Sequence, residues 1–289
     1  MKTLCIYHGN CADGFGAAWV VREAFGDDVE FHAGVYQDAP PDVTGKDVIM
    51  VDFSYKRDVL ARMVEKANTV LVIDHHKTAL PELDAVMALQ PMPNRFSYVF
   101  DLVRSGAGMT WDHYFPNQPR PALINHIEDR DLWRFALPGT RPIQAALFSY
   151  PYDWDAWDAL MQMDEEDLRD LRLEGEAIER KHFKDIDELI KVTRRSMVIG
   201  GVEIPVANLP YTLTSDAGHQ MATDHPSKIG ACYWDTPDGR VFSLRSTEDG
   251  PDVSAIAKQY GGGGHVHAAG FRKEIGWEGD RILKGTDLE

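Results

Sequence analysis

The first third of the chain alternates short apolar runs with amphipathic stretches. Residues 3–7 (TLCIY), 47–51 (DVIMV) and 69–73 (TVLVI) are aliphatic and β-branched, and each leads into a polar cluster. Between the last two runs, SYKRDVLARMVEKAN places Val59, Leu60, Met63 and Val64 at helical spacing, and ADGFGAAWVVREAF after the first run also predicts a helix. Strands alternating with helices predict a parallel sheet with helices on both faces. Ligands of such sheets bind beyond the carboxyl ends of the strands.

Residues 99–160 read as mostly helical and aromatic-rich. Residues 163–193 read as one or two charged amphipathic helices, with Leu168, Leu171, Ile178, Ile186 and Leu189 as a buried stripe. From Met197 the pattern changes to short strands (MVIGGVEIPVANL, KIGACYWDT, RVFSLRS) with Gly and Asp turns, followed by the helix DVSAIAKQY. The expected architecture is α/β: a parallel-sheet domain over 1–160, a helical connector over 161–194, and a smaller α/β domain with a mixed sheet over 195–289.

Composition narrows the partners. The chain has 289 residues, enough for two cores. Its 30 basic and 46 acidic side chains give a net charge of −16, and residues 195–289 hold 9 basic against 13 acidic. A protein gripping long duplex nucleic acid needs many Lys and Arg contacts, so that class of partner is excluded. A short phosphorylated ligand held by local contacts and metal ions is not, and a homodimer is left open. No stretch approaches the roughly 20 apolar residues of a membrane span. The start MKTLCIYHGN is too brief for a signal peptide, and Cys5, Cys11 and Cys232 form no disulfide framework, so the expected location is the cytoplasm.

The chemistry gathers where the apolar runs end. His8 closes the first and Asp13 follows at the start of a helix; Asp52 closes the second; Asp74, His75 and His76 close the third; HIEDRDLW adds Asp129 and Asp131. A lone aspartate at a strand end most often caps a helix. Three strands ending alike point instead to one or two divalent ions, and the oxygen–nitrogen donor set suits Mn²⁺ or a similar ion. Such a pair of ions can activate a water and stabilise a leaving oxygen in phosphoryl chemistry.

A second constellation is GGGGHVHAAGF. Gly261, Gly262, Gly263 and Gly264 let the backbone approach a ligand and could offer N–H groups to phosphate, with His265 and His267 on one side of the loop. Just upstream, Arg245 and Ser246 of SLRS supply a potential phosphate clamp.

The HGNCADGFGAAW start, the strand-end Asp52, the Asp-His-His run at 74–76 and the GGGGHVHAAGF tail resemble the DHH phosphoesterase superfamily, in the branch that joins a DHH domain to its associated C-terminal domain. The resemblance covers nearly the whole chain in order. It implies two Mn²⁺ ions (Mg²⁺ or Co²⁺ as substitutes) in a cleft between the domains, and hydrolysis of phosphodiester or phosphoanhydride bonds. It implies His8, Asp13, Asp52, His75 and one of Asp129 or Asp131 as ligands. Asp129 is preferred there because Trp133 follows it by four residues, where the family often has an aromatic. Asp52 would bridge the ions, Asp74 would orient His75, and His76 would polarise the scissile phosphate. Arg245, the glycines, His265 and His267 would bind the substrate's terminal phosphate or base. The chain departs at Cys11, which stands where many relatives carry the first of two aspartates; it reads as a small buried residue beside the site.

The function expected is a Mn²⁺-dependent phosphodiesterase that releases mononucleotides from oligoribonucleotides or linear dinucleotides. The alternatives are an exopolyphosphatase or pyrophosphatase, a cyclic-dinucleotide phosphodiesterase, and a catalytically weak nucleotide-binding protein.

Overall fold

The structure is a computed structural model that describes residues 2–36, 38–89 and 95–280. The chain divides into two compact units, Met1–Glu179 and Arg180–Glu289.

The first unit is built on a parallel sheet of five strands, β1 (Thr3–His8), β2 (Val29–Gly34), β3 (Asp47–Val51), β4 (Thr69–Asp74) and β5 (Phe96–Phe100), in the order β2-β1-β3-β4-β5. Side chains alternate across it. Leu4, Ile6, Val48, Met50, Val70 and Val72 face one core with α2 (Arg57–Lys66) and α3 (Leu80–Leu89). Cys5, Ile49, Val51 and Ile73 face the other, packed on α1 (Ala12–Phe25), α4 (Gly106–Tyr114), α5 (Ala122–Asp131), α6 (Thr140–Leu147) and α7 (Trp154–Met161). Helices thus cover both faces.

The chain leaves β1 for β2 through α1 on one face, and leaves β3 for β4 through α2 on the other. Neighbouring β1 and β3 therefore send their connections in opposite directions, which opens a crevice at their carboxyl ends. Strands β2 and β5 and helix α3 were not expected from the sequence, and β5 replaces helix at residues 99 and 100.

Most of residues 163–193 form a single helix, α8 (Glu165–Thr193). Leu168 and Leu171 belong to the core of the first unit, whereas Ile186 and Ile190 belong to a cluster of the second. The helical connector expected over 161–194 falls mostly on this one helix, and the division between the units lies within it.

The second unit holds a mixed sheet of β6 (Arg195–Ile199), β7 (Val202–Asn208), β8 (Ile229–Thr236), β9 (Gly239–Ser246), β10 (Gly263–Gly264) and β11 (Ala268–Lys273), in the order β10-β11-β9-β8-β7-β6. Only β7 and β8 pair in parallel. Helices α9 (Thr214–Thr223) and α10 (Val253–Gln259) accompany it. Among the described residues no helix is long and apolar enough to cross a membrane.

Candidate metal centre

The carboxyl edge of the parallel sheet collects the expected ligands. His8 ends β1, Asp52 follows β3, Asp74 ends β4 with His75 and His76 behind it, and Asp13 lies in the first turn of α1. Asp13, Asp52, Asp74, His75 and His76 are all buried. Buried charges persist only when paired or bound to a cation.

Asp52 occupies the centre. Its backbone is left-handed (φ 54°), a conformation uncommon for residues other than glycine. Its N–H donates to the Ile73 carbonyl at 2.8 Å. The carboxylate then stands between two histidines, with Oδ1 3.1 Å from His75 Nε2 and Oδ2 3.5 Å from His8 Nδ1. His75 Nε2 is also 3.7 Å from Asp13 Oδ2 and 3.5 Å from Asp131 Oδ2. The ligand atoms of Asp13, Asp52 and His75 lie within 4.8 Å of one another, as do those of His8, Asp52 and His76. Asp52 belongs to both groups.

Two close backbone approaches build this pocket. The N–H groups of Gly106 and Ala107, at the start of α4, donate to Asp13 Oδ2 (2.6 Å) and Oδ1 (2.9 Å). A Cβ on Gly106 would stand 2.5 Å from the Asp52 Cβ, and one on Gly14 would stand 2.3 Å from the His8 carbonyl oxygen. Asp74 organises the next residues: its Oδ1 accepts from the His75 and His76 N–H groups (2.8 and 3.1 Å) and from His76 Nδ1 at 2.7 Å. Asp74 thus fixes the orientation of the His76 ring through Nδ1.

Charge is shared unevenly. Burial raises the Asp52 carboxyl, but the hydrogen bond from His75 and the nearby imidazole of His8 more than offset it and hold the group well below its ordinary value. Burial lowers His75, yet its bond to Asp52 and the charges of Asp131, Asp52 and Asp13 carry it well above. Asp13 is pushed well above by burial and by the charges of Asp52 and Asp131. Oδ2 of Asp52, Nδ1 of His8 and Oδ2 of Asp131 are buried without a hydrogen-bond partner among the described residues. Oxygen and nitrogen donors left unsatisfied around a shared carboxylate fit divalent ions of the Mn²⁺ type.

The two aspartates of HIEDRDLW separate cleanly. Asp129 turns away from the cluster: Oδ1 accepts the Ala136 N–H (2.8 Å), and Oδ2 accepts the Leu137 N–H (3.0 Å) and the Thr140 hydroxyl (2.6 Å). It clamps the loop after α5, in which Trp133 and Phe135 both take positive φ (56° and 49°). Asp131 faces His75, at the 3.5 Å given above. Of the two aspartates expected as alternatives, with Asp129 preferred, the structure brings Asp131 to the cluster and turns Asp129 away from it.

Cys11 precedes α1 with an extended backbone and no capping bond from its side chain. Burial and the charges of Asp52, Asp131 and Asp13 push its thiol well above the usual range, which keeps it protonated. It joins none of the groups of three ligands found among the described residues.

In the second unit the glycine run is not an open cradle. Gly261 (φ 80°) ends α10: its N–H donates to the Lys258 carbonyl and the Gly262 N–H to the Ala257 carbonyl, a Schellman cap. Gly263 and Gly264 form β10, paired with Gly270 and Ala269. Of the glycines expected to offer N–H groups to a phosphate, Gly261 and Gly262 spend theirs on this cap. His265 to Ala268 form the tight turn of this hairpin, with His265 N–H donating to the Ala268 carbonyl at 2.8 Å. His267 Nδ1 meets Ser246 Oγ at 2.9 Å. Arg245 is anchored by Ser215 Oγ (2.7 Å), Ser243 Oγ (3.0 Å) and the Leu244 carbonyl (2.9 Å).

The sequence reading missed the Gly106 and Ala107 amides and the exposed Tyr36. The run RSGAGMT carried a signal for the first: Ser105 caps α4, accepting from the Gly108 N–H at 3.1 Å, and small residues follow it. Nothing in the sequence around Tyr36 marked the second.

No family model matches the chain. It is 33% identical over 289 residues to the uncharacterized protein R106 of Acanthamoeba polyphaga mimivirus, covering 92% of this chain and 66% of that protein. It is 24% identical to the oligoribonuclease NrnB of Bacillus subtilis (strain 168), covering 92% of this chain and 71% of that one. The chain thus spans about two thirds of the length of the curated relatives it matches. Its fold is similar to that of RecJ in complex with Mn²⁺ from Thermus thermophilus, with a TM-score of 0.51 and 15% identity over 94% of this chain and 50% of that one. The strand-end His8, Asp52 and Asp-His-His run lie at the carboxyl edge of a sheet whose fold is similar to that of RecJ, and they resemble the corresponding run of the DHH phosphoesterase superfamily.

Proposed function

We propose that this chain is a divalent-metal-dependent phosphodiesterase that hydrolyses short phosphorylated nucleotides, namely oligoribonucleotides and linear dinucleotides, and releases mononucleotides. The observation that carries this reading is the Asp52 carboxylate, shared by the His8–Asp52–His76 and Asp13–Asp52–His75 groups. The similarity to NrnB, named an oligoribonuclease, and to RecJ bound to Mn²⁺ supports the choice of substrate and ion.

His8, Asp13, Asp52, His75 and Asp131 would hold the ions, Mn²⁺ in the first instance. Bound there, the ions would supply an activated water and neutralise charge on the phosphate. The chain's own groups do the rest. Asp52 stays ionised because its two histidines stabilise the anion. The α4 amides fix the Asp13 carboxylate in place before any ligand arrives, which removes reorganisation from the reaction. Asp74 holds His76 by Nδ1, so its Nε2 can meet a non-bridging phosphate oxygen and stabilise charge as it develops. In the second unit, Arg245, Ser246, His265 and His267 would bind phosphate or base, with the arginine fork already oriented by Ser215 and Ser243. The net charge of −16 disfavours long polyanions.

A hydrolysis panel with Mn²⁺ tests this directly: an RNA dinucleotide, a 5-mer, a 24-mer, a cyclic dinucleotide and polyphosphate. Rapid loss of the dinucleotide and the 5-mer, with the 24-mer slow, is expected. Phosphate release from polyphosphate alone would replace this reading with the exopolyphosphatase one.

A further inference from the structure

Tyr36 borders the metal centre, yet the mechanism proposed for that centre gives it no task. It sits just beyond β2, on a turn closed by the Asp38 N–H donating to the Val35 carbonyl at 3.2 Å. It is 41% exposed, although its ring borders a buried charge cluster. The ring lies edge-on to His8 and His76, with centroids 5.3 and 5.9 Å away. Its centroid is 4.8 Å from that of Phe53, with the planes inclined by only 34°.

Phe53 is a rigid backing. It follows Asp52 directly, is 0% exposed, and meets Tyr55 at 5.0 Å in a perpendicular contact. Gly34, the last residue of β2, makes room for it: a Cβ there would stand 2.8 Å from the Phe53 ring. Tyr36 and Phe53 thus form an aromatic pair edged by two histidines of the centre, with Phe53 buried and Tyr36 partly exposed. A flat π surface of this kind next to a phosphate-processing centre matches a nucleobase: base–aromatic stacking is sequence-tolerant and works for every base.

We propose that the exposed ring of Tyr36, backed by Phe53, is the stacking platform for the nucleobase adjoining the scissile phosphate, so that the site takes nucleotides in preference to phosphate compounds without a base. This rests on the proposed phosphodiesterase reading of the His8–Asp52–His75 cluster. The ring is the active part, and the hydroxyl is dispensable.

The test compares binding of adenosine 5′-monophosphate and ribose 5-phosphate, with Mn²⁺ present, to the full chain and to Tyr36→Phe, Tyr36→Ala and Gly34→Ala. Calorimetry reads the dissociation constants, and melting curves confirm that each variant is folded. The wild type should favour the base-bearing ligand by about tenfold or more. Tyr36→Phe should keep that preference, Tyr36→Ala should lose most of it, and Gly34→Ala should reduce it by displacing Phe53. An unchanged preference in Tyr36→Ala would overturn the proposal. So would an equal loss in Tyr36→Phe, which would assign the effect to the hydroxyl. Because the readout is binding, it decides the role of Tyr36 even if the hydrolysis panel shows no turnover, a result that would count against the phosphodiesterase reading instead.

Discussion

Asp52 and His75, delivered by the adjacent parallel strands β3 and β4, meet with Oδ1 3.1 Å from Nε2. The other oxygen of the same carboxylate faces His8. Removing either histidine should therefore weaken one ion and spare the other, whereas Asp52→Asn should weaken both. Calorimetric Mn²⁺ titration is expected to show one class of site lost in His75→Ala, the other in His8→Ala, and affinity reduced about 100-fold or more at both in Asp52→Asn. Identical isotherms for the two histidine variants would contradict the division.

The protonation of the cluster sets a pH dependence. His75 and His8 are held above their ordinary values in the metal-free fold, so their stabilisation is complete below about pH 6.5 and is lost as pH rises through the raised values. The raised Asp13 acts in the same sense, because keeping its proton becomes harder as pH rises. Asp52 is lowered, and its contribution is lost only in acid. Metal-free protein should thus melt at progressively lower temperature as pH rises above about 6.5. Mn²⁺ competes with those protons, so its stabilising shift should grow over the same range. A Mn²⁺-induced shift independent of pH would be inconsistent with ions at these residues.

Asp129 and Asp131 should fail in different ways. Asp129 accepts three hydrogen bonds and, with those bonds and its neighbours, is held below the ordinary carboxylate range despite its burial. Its Asn variant is expected to lose about 2 kcal/mol of stability while keeping Mn²⁺ affinity. Asp131→Asn should lose Mn²⁺ affinity with little change in melting temperature. Chemical denaturation and titration on the same samples check both; the reverse pairing would restore Asp129 as the ligand.

Asp74 binds His76 rather than an ion, so Asp74→Asn should lower kcat about 10- to 100-fold while Mn²⁺ affinity changes little. A metal-affinity loss as large as that of Asp52→Asn would place Asp74 among the ligands.

The parts of this fold that were legible in the sequence are the central strands. β1, β3 and β4 are covered on both faces and read as continuous aliphatic runs. β2 (VEFHAG) and β5 (FSYVF) are the edges of the sheet, half exposed, and carry polar residues that hide the pattern. The gathering of the candidate site residues was legible because each strand end brings a chemical side chain to one edge. Asp129 and Asp131 were not separable, because two residues on a helix point roughly 200° apart and the sequence does not say which direction faces the sheet edge. The glycine run was misjudged for a related reason: a Schellman cap, a tight hairpin and a phosphate loop all ask for the same residue.

The most direct measurement is the rate of mononucleotide release from an RNA dinucleotide, with and without Mn²⁺, by the wild type and by Asp52→Asn. The account predicts turnover that requires the ion and falls roughly 10³-fold in the variant. Turnover that persists without Mn²⁺, or that Asp52→Asn sustains at the wild-type rate, would contradict it.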